Sequence, residues 1–376
     1  MIWTVVILLS LVSLMTVYSS TGSLAYRFHG GNTTYFLIKQ LIFLGLGLSI
    51  VFITHLISYK VYYPLSTILL GVSVPLLLIT LVFGATLNQA SRWLEVPGLG
   101  ITFQTSDVAK LALIMYVSKI LSQKQKDIKD LRQGFVPLVI PIGLICMLIL
   151  PANFSTAALL GLACWIMMFV GRVNLKYLLG FTGLGVILLG AFIVIALQFK
   201  NVGRVHTWIN RIENFASGDN GDGNYQVEQS KIAIATGGII GKGPGRSTQR
   251  NFLPHPYSDF IFAIIVEEFG LLGGTVILAL YLILLFRSAL IVKKAKRTFP
   301  AFLAFGLALL MALQALVNMM VAVNLIPVTG QPLPLVSMGG TSLFFSSAAF
   351  GIILSISRSQ SKTELFDGEE PVEDNN

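Results

Sequence analysis

The chain has 376 residues, 55% of them hydrophobic and 11% charged, with a mean hydropathy of +0.79 and a net charge of +9. Soluble domains carry about 25% charged residues, so these values exclude a soluble enzyme, a disordered scaffold and a disulfide-stapled secreted module. They describe a polytopic membrane protein, whose positive charge speaks of orientation and anionic headgroups and not of nucleic acid.

Apolar runs that approach the ~20 residues needed to cross a bilayer fall near 2–19, 35–57, 61–83, 106–121, 135–151, 154–171, 177–199, 258–286, 300–324 and 337–357. The first begins at Met1-Ile2-Trp3 without a basic leader and reads as a retained span. Ten spans put both termini on one side. With that side cytoplasmic, the short connections and span ends there hold fifteen of the 26 basic residues, including Lys60, Lys124, Lys126, Lys129, Arg132, Lys296 and Arg297. That is the asymmetry the positive-inside rule requires. The expected fold is an all-α polytopic membrane protein of about ten transmembrane helices, with one large extracellular loop between helices 7 and 8. A membrane domain covers 1–362, with the loop at 200–255, and an acidic cytoplasmic tail covers 363–376.

The loop carries seven basic residues, and Trp208, Ile212, Phe215, Tyr225 and Phe252 punctuate it, so it has apolar surface to bury and is expected to form an ordered cap. Cys146 and Cys164 lie inside apolar runs and read as buried small hydrophobes. His29, His55, His206 and His255 have no metal-ligand spacing. No ligand cluster demands a metal, and a divalent cation (Mg or Mn) is the one cofactor left open.

Charges at bilayer depth cost at least ~2.5–3.5 kcal/mol, so each is a candidate for function. Asp107 and Lys110 share a helix face at the outer start of the fourth span, either neutralising each other or presenting Lys110 to an anion. Asp259 opens the eighth span, directly after the basic loop, as either a helix-start acid or a working carboxylate. Glu267 and Glu268 follow about 12–14 Å along the same helix, where they are expected to hydrogen-bond inside the bundle. The run Gly237-Gly238-Ile239-Ile240-Gly241-Lys242-Gly243 lacks the spacing of a phosphate loop, and its glycines read as tight turns and close backbone approach. Pro327-Val328-Thr329-Gly330 through Ser337-Met338-Gly339-Gly340 breaks the helix at membrane depth, which is tolerated where protein or a water-filled cavity covers it: either a loop dipping back beside Asp259 or an ordinary extracellular turn before the tenth span. Basic side chains above a lone carboxylate suit transfer from a lipid-linked phosphate donor: Arg and Lys hold the phosphates while the acid takes a proton from the attacking hydroxyl. The same groups would also serve a site that only binds and moves such a lipid.

Taken together, several segments resemble the SEDS family, which includes FtsW, RodA and SpoVE. They are Val17-Tyr18-Ser19, Ser91-Arg92-Trp93, Gln104-Thr105-Ser106-Asp107 with Lys110, Tyr225-Gln226, Gly241-Lys242-Gly243, Ser258-Asp259-Phe260-Ile261-Phe262-Ala263, Glu267-Glu268-Phe269-Gly270 and the Pro327–Gly340 run. The resemblance covers about residues 15–358. It implies a peptidoglycan glycosyltransferase that polymerises lipid II on the outer face of the cytoplasmic membrane. It also implies a class B penicillin-binding protein and other divisome or elongasome membrane proteins as partners. Asp259 stands where the family has its essential acid, the expected catalytic residue. Some of Arg92, Lys110, Arg204, Arg211, Lys242 and Arg246 are expected to hold the pyrophosphate of the donor, with Asp107, Ser258, Ser337, Gly339 and Gly340 beside them. The wording of the motifs is closer to FtsW than to RodA, hence to division. Three positions depart from the family: Asp107 replaces Glu, Asn153 replaces an acid, and Met338 replaces an aromatic. A lipid II flippase, a RodA-like elongation polymerase and a non-catalytic scaffold remain as alternatives.

Overall fold

The computed structural model describes residues 1–22, 24, 33–87, 90–96, 101–198, 205–217, 222–254 and 256–367. Its helices are α1 (Ile2–Ser20), α2 (Thr33–Leu56), α3 (Tyr59–Phe83), α4 (Thr105–Gln123), α5 (Val136–Ile149), α6 (Phe154–Val170), α7 (Leu175–Gln198), α8 (Val205–Ser217), α9 (Asp222–Gly237), α10 (Ile261–Lys294), α11 (Thr298–Ala322) and α12 (Thr341–Asp367). Every expected span contains a helix. Among the described residues seven helices are long and apolar enough to cross a membrane, and α6 and the Leu175–Leu188 part of α7 are shorter apolar helices. This is a multi-pass membrane protein, and ten crossings remains an expectation.

Helix α11 is the axis of the bundle. It is apolar on all sides, the pattern of a fully buried helix, and it packs against α10, α4, α12 and α6. Small residues along it (Ala301, Ala304, Gly306, Ala308, Ala312, Ala315) let neighbours approach closely. A side chain at Gly306 would collide with Met167 of α6 and Ile114 of α4. By contrast α2, α3 and α7 leave many large apolar side chains on the outside, among them Ile42, Phe52, Ile68, Leu78 and Ile187. That is the surface of a protein whose solvent is hydrocarbon.

Two additions stand outside the sequence reading. The connection between α3 and α4 is a small antiparallel sheet of β1 (Ala85–Leu87), β2 (Ala90–Val96) and β3 (Ile101–Gln104), with Trp93 opposite both Ala85 and Gln104. The loop 200–255 contains two helices, α8 and α9, and Trp208 of α8 packs on the Phe154 ring at 5.1 Å. Trp208 is thus packed, whereas Ile212, Phe215, Tyr225 and Phe252 are exposed, so the apolar residues of the loop do not bury themselves as a group.

Helix α10 is interrupted at Gly270 (φ 70°, ψ −174°). In an unbroken helix the Glu267 and Glu268 carbonyls would accept from Leu271 and Leu272. Here they accept instead from the N–H groups of Lys242 (3.0 Å) and Gly243 (2.9 Å), while Leu271 and Leu272 donate to Gly238 (2.9 Å) and Ile239 (3.2 Å). The turn after α9 is thus threaded into the break. The Gly-rich run is an interlock with a membrane helix, and no phosphate cradle. A Cβ on Gly241 would lie 2.5 Å from the Gly270 nitrogen, so neither glycine tolerates a side chain.

Candidate functional site

Helix α10 starts at Ile261 with Phe260 as its N-cap, so Asp259 does not cap it. The half-buried Asp259 lies in the preceding turn, its Oδ1 accepting from Ser258 Oγ at 2.9 Å. The segment 327–340 folds back over this turn, as its prolines and glycines predict. Gly330 (φ 66°) sits so close to the carboxylate that a Cβ would be 3.4 Å from Oδ2. Ser337 Oγ donates to the Ser258 carbonyl at 2.7 Å and accepts from Leu333 N at 2.8 Å, and Met338 N donates to the Tyr257 carbonyl at 2.9 Å. Burial, with a smaller contribution from Asp259, pushes the Tyr257 hydroxyl above its ordinary range.

Irregular backbone at this depth must be satisfied by the protein itself, and amide side chains do so. Asn318 Nδ2 donates to the Asp259 carbonyl at 2.9 Å and to the Gln331 carbonyl at 2.8 Å. Gln314 Nε2 donates to Pro332 O at 2.9 Å, and Gln331 Nε2 reaches Thr156 Oγ1 at 2.8 Å. Arg211 of α8 donates to the Val328 carbonyl at 2.9 Å, bringing one predicted donor ligand onto the loop that backs Asp259. Gln314 and Asn318 were missed as site residues in the sequence reading. Their signal was available: two amides in an otherwise apolar run, which have no cheap place facing lipid.

Asp107 and Lys110 form an ion pair of 2.8 Å, both buried, with Asp107 Oδ2 left without a partner. They line a cavity of about 40 Å³ with Gln314, Ser342 and Ser346. A cavity of that size holds a water or two. Gln314 therefore joins this pair to the loop over Asp259. Ser342, just past Gly339 and Gly340, bonds back to the Gly339 carbonyl, 3.0 Å from its nitrogen and 2.9 Å from its hydroxyl. Asn153 is the N-cap of α6 and accepts from Thr156 N at 3.2 Å. The chain thus keeps a hydrogen-bonding residue there without the charge.

Lys242 and Arg246 fare differently. Lys242 Nζ is engaged by Glu267 Oε1 at 2.6 Å and Thr248 Oγ1 at 3.0 Å. Glu267, fully buried, also accepts from Ser247 Oγ and from Thr248 through its N–H (3.0 Å) and hydroxyl (2.8 Å). Glu268 accepts from Ser19 Oγ, and Arg250 donates to the Ser19 carbonyl at 2.9 Å. The two acids therefore clamp the turn 242–250 to α10 and α1, the hydrogen-bonding role expected for them. Arg246 is exposed. Arg204 and the Arg92 side chain lie outside the described residues. The geometry gathers Asp259, Ser258 and Ser337 at one place; Arg211 meets the same 327–340 loop at Val328, and Asp107 and Lys110 share a cavity with Gln314, which holds that loop at Pro332.

Comparison with known proteins places the chain. The family model for FtsW, RodA and SpoVE, described as a cell cycle protein, matches residues 1–362, and the chain belongs to that family. It is 35% identical over 365 residues to a probable peptidoglycan glycosyltransferase FtsW of Geobacter sulfurreducens, covering 94% of each chain. It is 34% identical over 361 residues to stage V sporulation protein E of Bacillus subtilis, covering 94% of this chain and 95% of that one. Among solved structures it superposes on a chain of a peptidoglycan synthase complex that coordinates polymerisation and crosslinking, with a TM-score of 0.72, 25% identity, and 95% and 98% of the two chains covered. The RodA rod-shape protein of Thermus thermophilus matches with a TM-score of 0.66 at 26% identity, covering 95% and 97%.

Proposed function

We propose that this chain is a peptidoglycan glycosyltransferase that polymerises lipid II into glycan strands at the outer face of the cytoplasmic membrane, in septal wall synthesis. Family membership and the relatives named as glycosyltransferases support the enzyme class. The observation that carries the site is the Asp259 carboxylate held at the head of α10 by Ser258 and backed by Gly330. Asp259 takes the proton from the acceptor sugar hydroxyl as that oxygen attacks the anomeric carbon of the donor, and the undecaprenyl pyrophosphate leaves with the bonding electrons. Arg211, with the exposed Arg246 of the same loop, stabilises the leaving phosphates, the largest expected catalytic effect. A divalent cation, Mg or Mn, would supply further charge for the pyrophosphate. Among the described residues no three His, Cys, Asp or Glu converge to hold it.

Both termini are placed in the cytoplasm by the distribution of basic residues. The partner is a class B penicillin-binding protein, in keeping with the solved synthase complex. The test is polymerisation of labelled lipid II by the purified protein, with and without a candidate transpeptidase, against Asp259→Asn. Polymer from the parent and none from the folded variant supports the base. Undiminished polymer from the variant removes Asp259 from the chemistry. Lipid II crossing liposome bilayers without any polymer would make the chain a transporter.

A further inference from the structure

The loop that backs Asp259 contains a backbone outlier. Leu335 has φ 61°, a left-handed conformation that residues with a Cβ rarely adopt and that is a genuine outlier for a bulky side chain. Such a conformation persists only where its surroundings over-determine it. Here the carbonyls of both neighbours are pinned. Pro334 O accepts from the Tyr281 hydroxyl of α10, and Val336 O accepts from Ser13 Oγ of α1 at 2.8 Å. Ser13 is fixed in turn by Gln40 of α2, whose Nε2 donates to its Oγ at 2.9 Å. Tyr281, Ser13 and Gln40 are all buried. Polar groups inside apolar helices are costly unless hydrogen-bonded, and these three spend their bonds on this turn.

The turn leads to the carboxylate in two steps. Val336 N and Ser337 N both donate to the Leu333 carbonyl, at 3.1 and 2.9 Å, and Ser337 Oγ accepts from Leu333 N. The same Ser337 hydroxyl donates to the Ser258 carbonyl, and Ser258 Oγ donates to the Asp259 carboxylate. Asn318 and Gln314 of α11 hold the loop at Gln331 and Pro332. Tyr281 and Ser13 hold it beyond those points, where it meets Ser258.

We infer that Tyr281, Ser13 and Gln40 are positioning residues for Asp259. They hold Leu335 in its left-handed conformation, and so keep Ser337 on the Ser258 carbonyl and the carboxylate where the acceptor hydroxyl must meet it. They act through the turn and carry no charge of their own. The inference rests on the reading of Asp259 as the base, and it adds that α1, α2 and α10 together set the geometry of that base.

The experiment pairs lipid II polymerisation by the purified full chain with hydrogen exchange, read by mass spectrometry without substrate. Tyr281→Phe removes the hydroxyl and keeps the ring. Its kcat should fall about tenfold, while the lipid II concentration for half-maximal rate stays within about twofold of the parent's. The amides of 333–338 should exchange about fivefold faster, and those of 257–260 with them. Ser13→Ala should do the same. The double variant should stay within about threefold of the slower single one, against ~100-fold for independent sites, because releasing either carbonyl already frees the turn. Tyr62→Phe is the control: buried Tyr62 also donates to a backbone carbonyl, that of Thr54 at 2.7 Å. It should lose about as much stability in thermal unfolding as Tyr281→Phe and still polymerise like the parent. Parent-like kcat in both Tyr281→Phe and Ser13→Ala overturns the inference, as does an equal loss of kcat in Tyr62→Phe. Loosening of 333–338 that stops short of 257–260 overturns it as well. A parent that makes no polymer would remove the base reading, and the exchange at 257–260 would then decide whether the turn holds Asp259.

Discussion

Gly270→Ala tests the interlock between α10 and the turn after α9. The native backbone there (φ 70°, ψ −174°) is a conformation essentially restricted to glycine, and holding alanine in it costs about 1–3 kcal/mol. Sterics add to this. The new Cβ would overlap the Ile239 carbonyl and lie 2.6 Å from the Gly241 nitrogen, so the turn must withdraw. Withdrawal breaks four backbone bonds. Two are recovered if α10 straightens and Leu271 and Leu272 return to Glu267 and Glu268. Straightening also relieves the strain at residue 270, so the loss by this route is the remaining two bonds, about 1 kcal/mol each and about 2 kcal/mol together. Thermal unfolding in detergent should then fall by about 3–5 °C, and limited proteolysis should cut the 238–250 turn faster than in the parent. Gly71→Ala is the control: it is mid-helix with nothing within 4 Å of a built Cβ, so about 0.5–1 kcal/mol of stabilisation is expected. A Gly270→Ala protein that melts with the parent and resists the protease would refute the exchange of bonds at the break.

Other outcomes follow from the same geometry. Lys242→Met leaves the buried Glu267 carboxylate with hydroxyl and amide donors only. Because Lys242 is 28% exposed, the loss is placed at about 2–3 kcal/mol, below the range for a fully buried pair, and Lys242→Met with Glu267→Gln should recover part of it in a double-mutant cycle by thermal unfolding. Asn318→Ala removes the shared donor to Asp259 O and Gln331 O; polymerisation should fall about tenfold or more while the protein stays folded, and parent-like activity would show that the loop needs no such anchor. Lys110→Met strands the Asp107 carboxylate beside a 40 Å³ cavity; a loss of about 3 kcal/mol or more is expected, with Asp107→Asn/Lys110→Met milder than Lys110→Met alone. Arg211→Ala should raise the lipid II concentration needed for half-maximal rate more than it lowers the maximal rate, if its guanidinium serves the donor as well as Val328 O.

Sequence alone determined the membrane class, the bundle of apolar helices and the return of the 327–340 segment to Asp259. Each rests on local chemistry: an apolar run of sufficient length has no stable alternative to helix in lipid, and prolines with glycines at depth must be covered. The function and the position of Asp259 were legible through whole motifs, which carry the spacing of the site. Tertiary structure alone decided which charges face each other. Lys242 looked like a phosphate ligand in a list of bases, and only the broken α10 brings Glu267 within 2.6 Å of it. Gln314 and Asn318 gained meaning only when α11 became the axis beneath the loop. Long-range pairing depends on how helices cross, and that is set by the packing of many small residues at once, which no single stretch of sequence records.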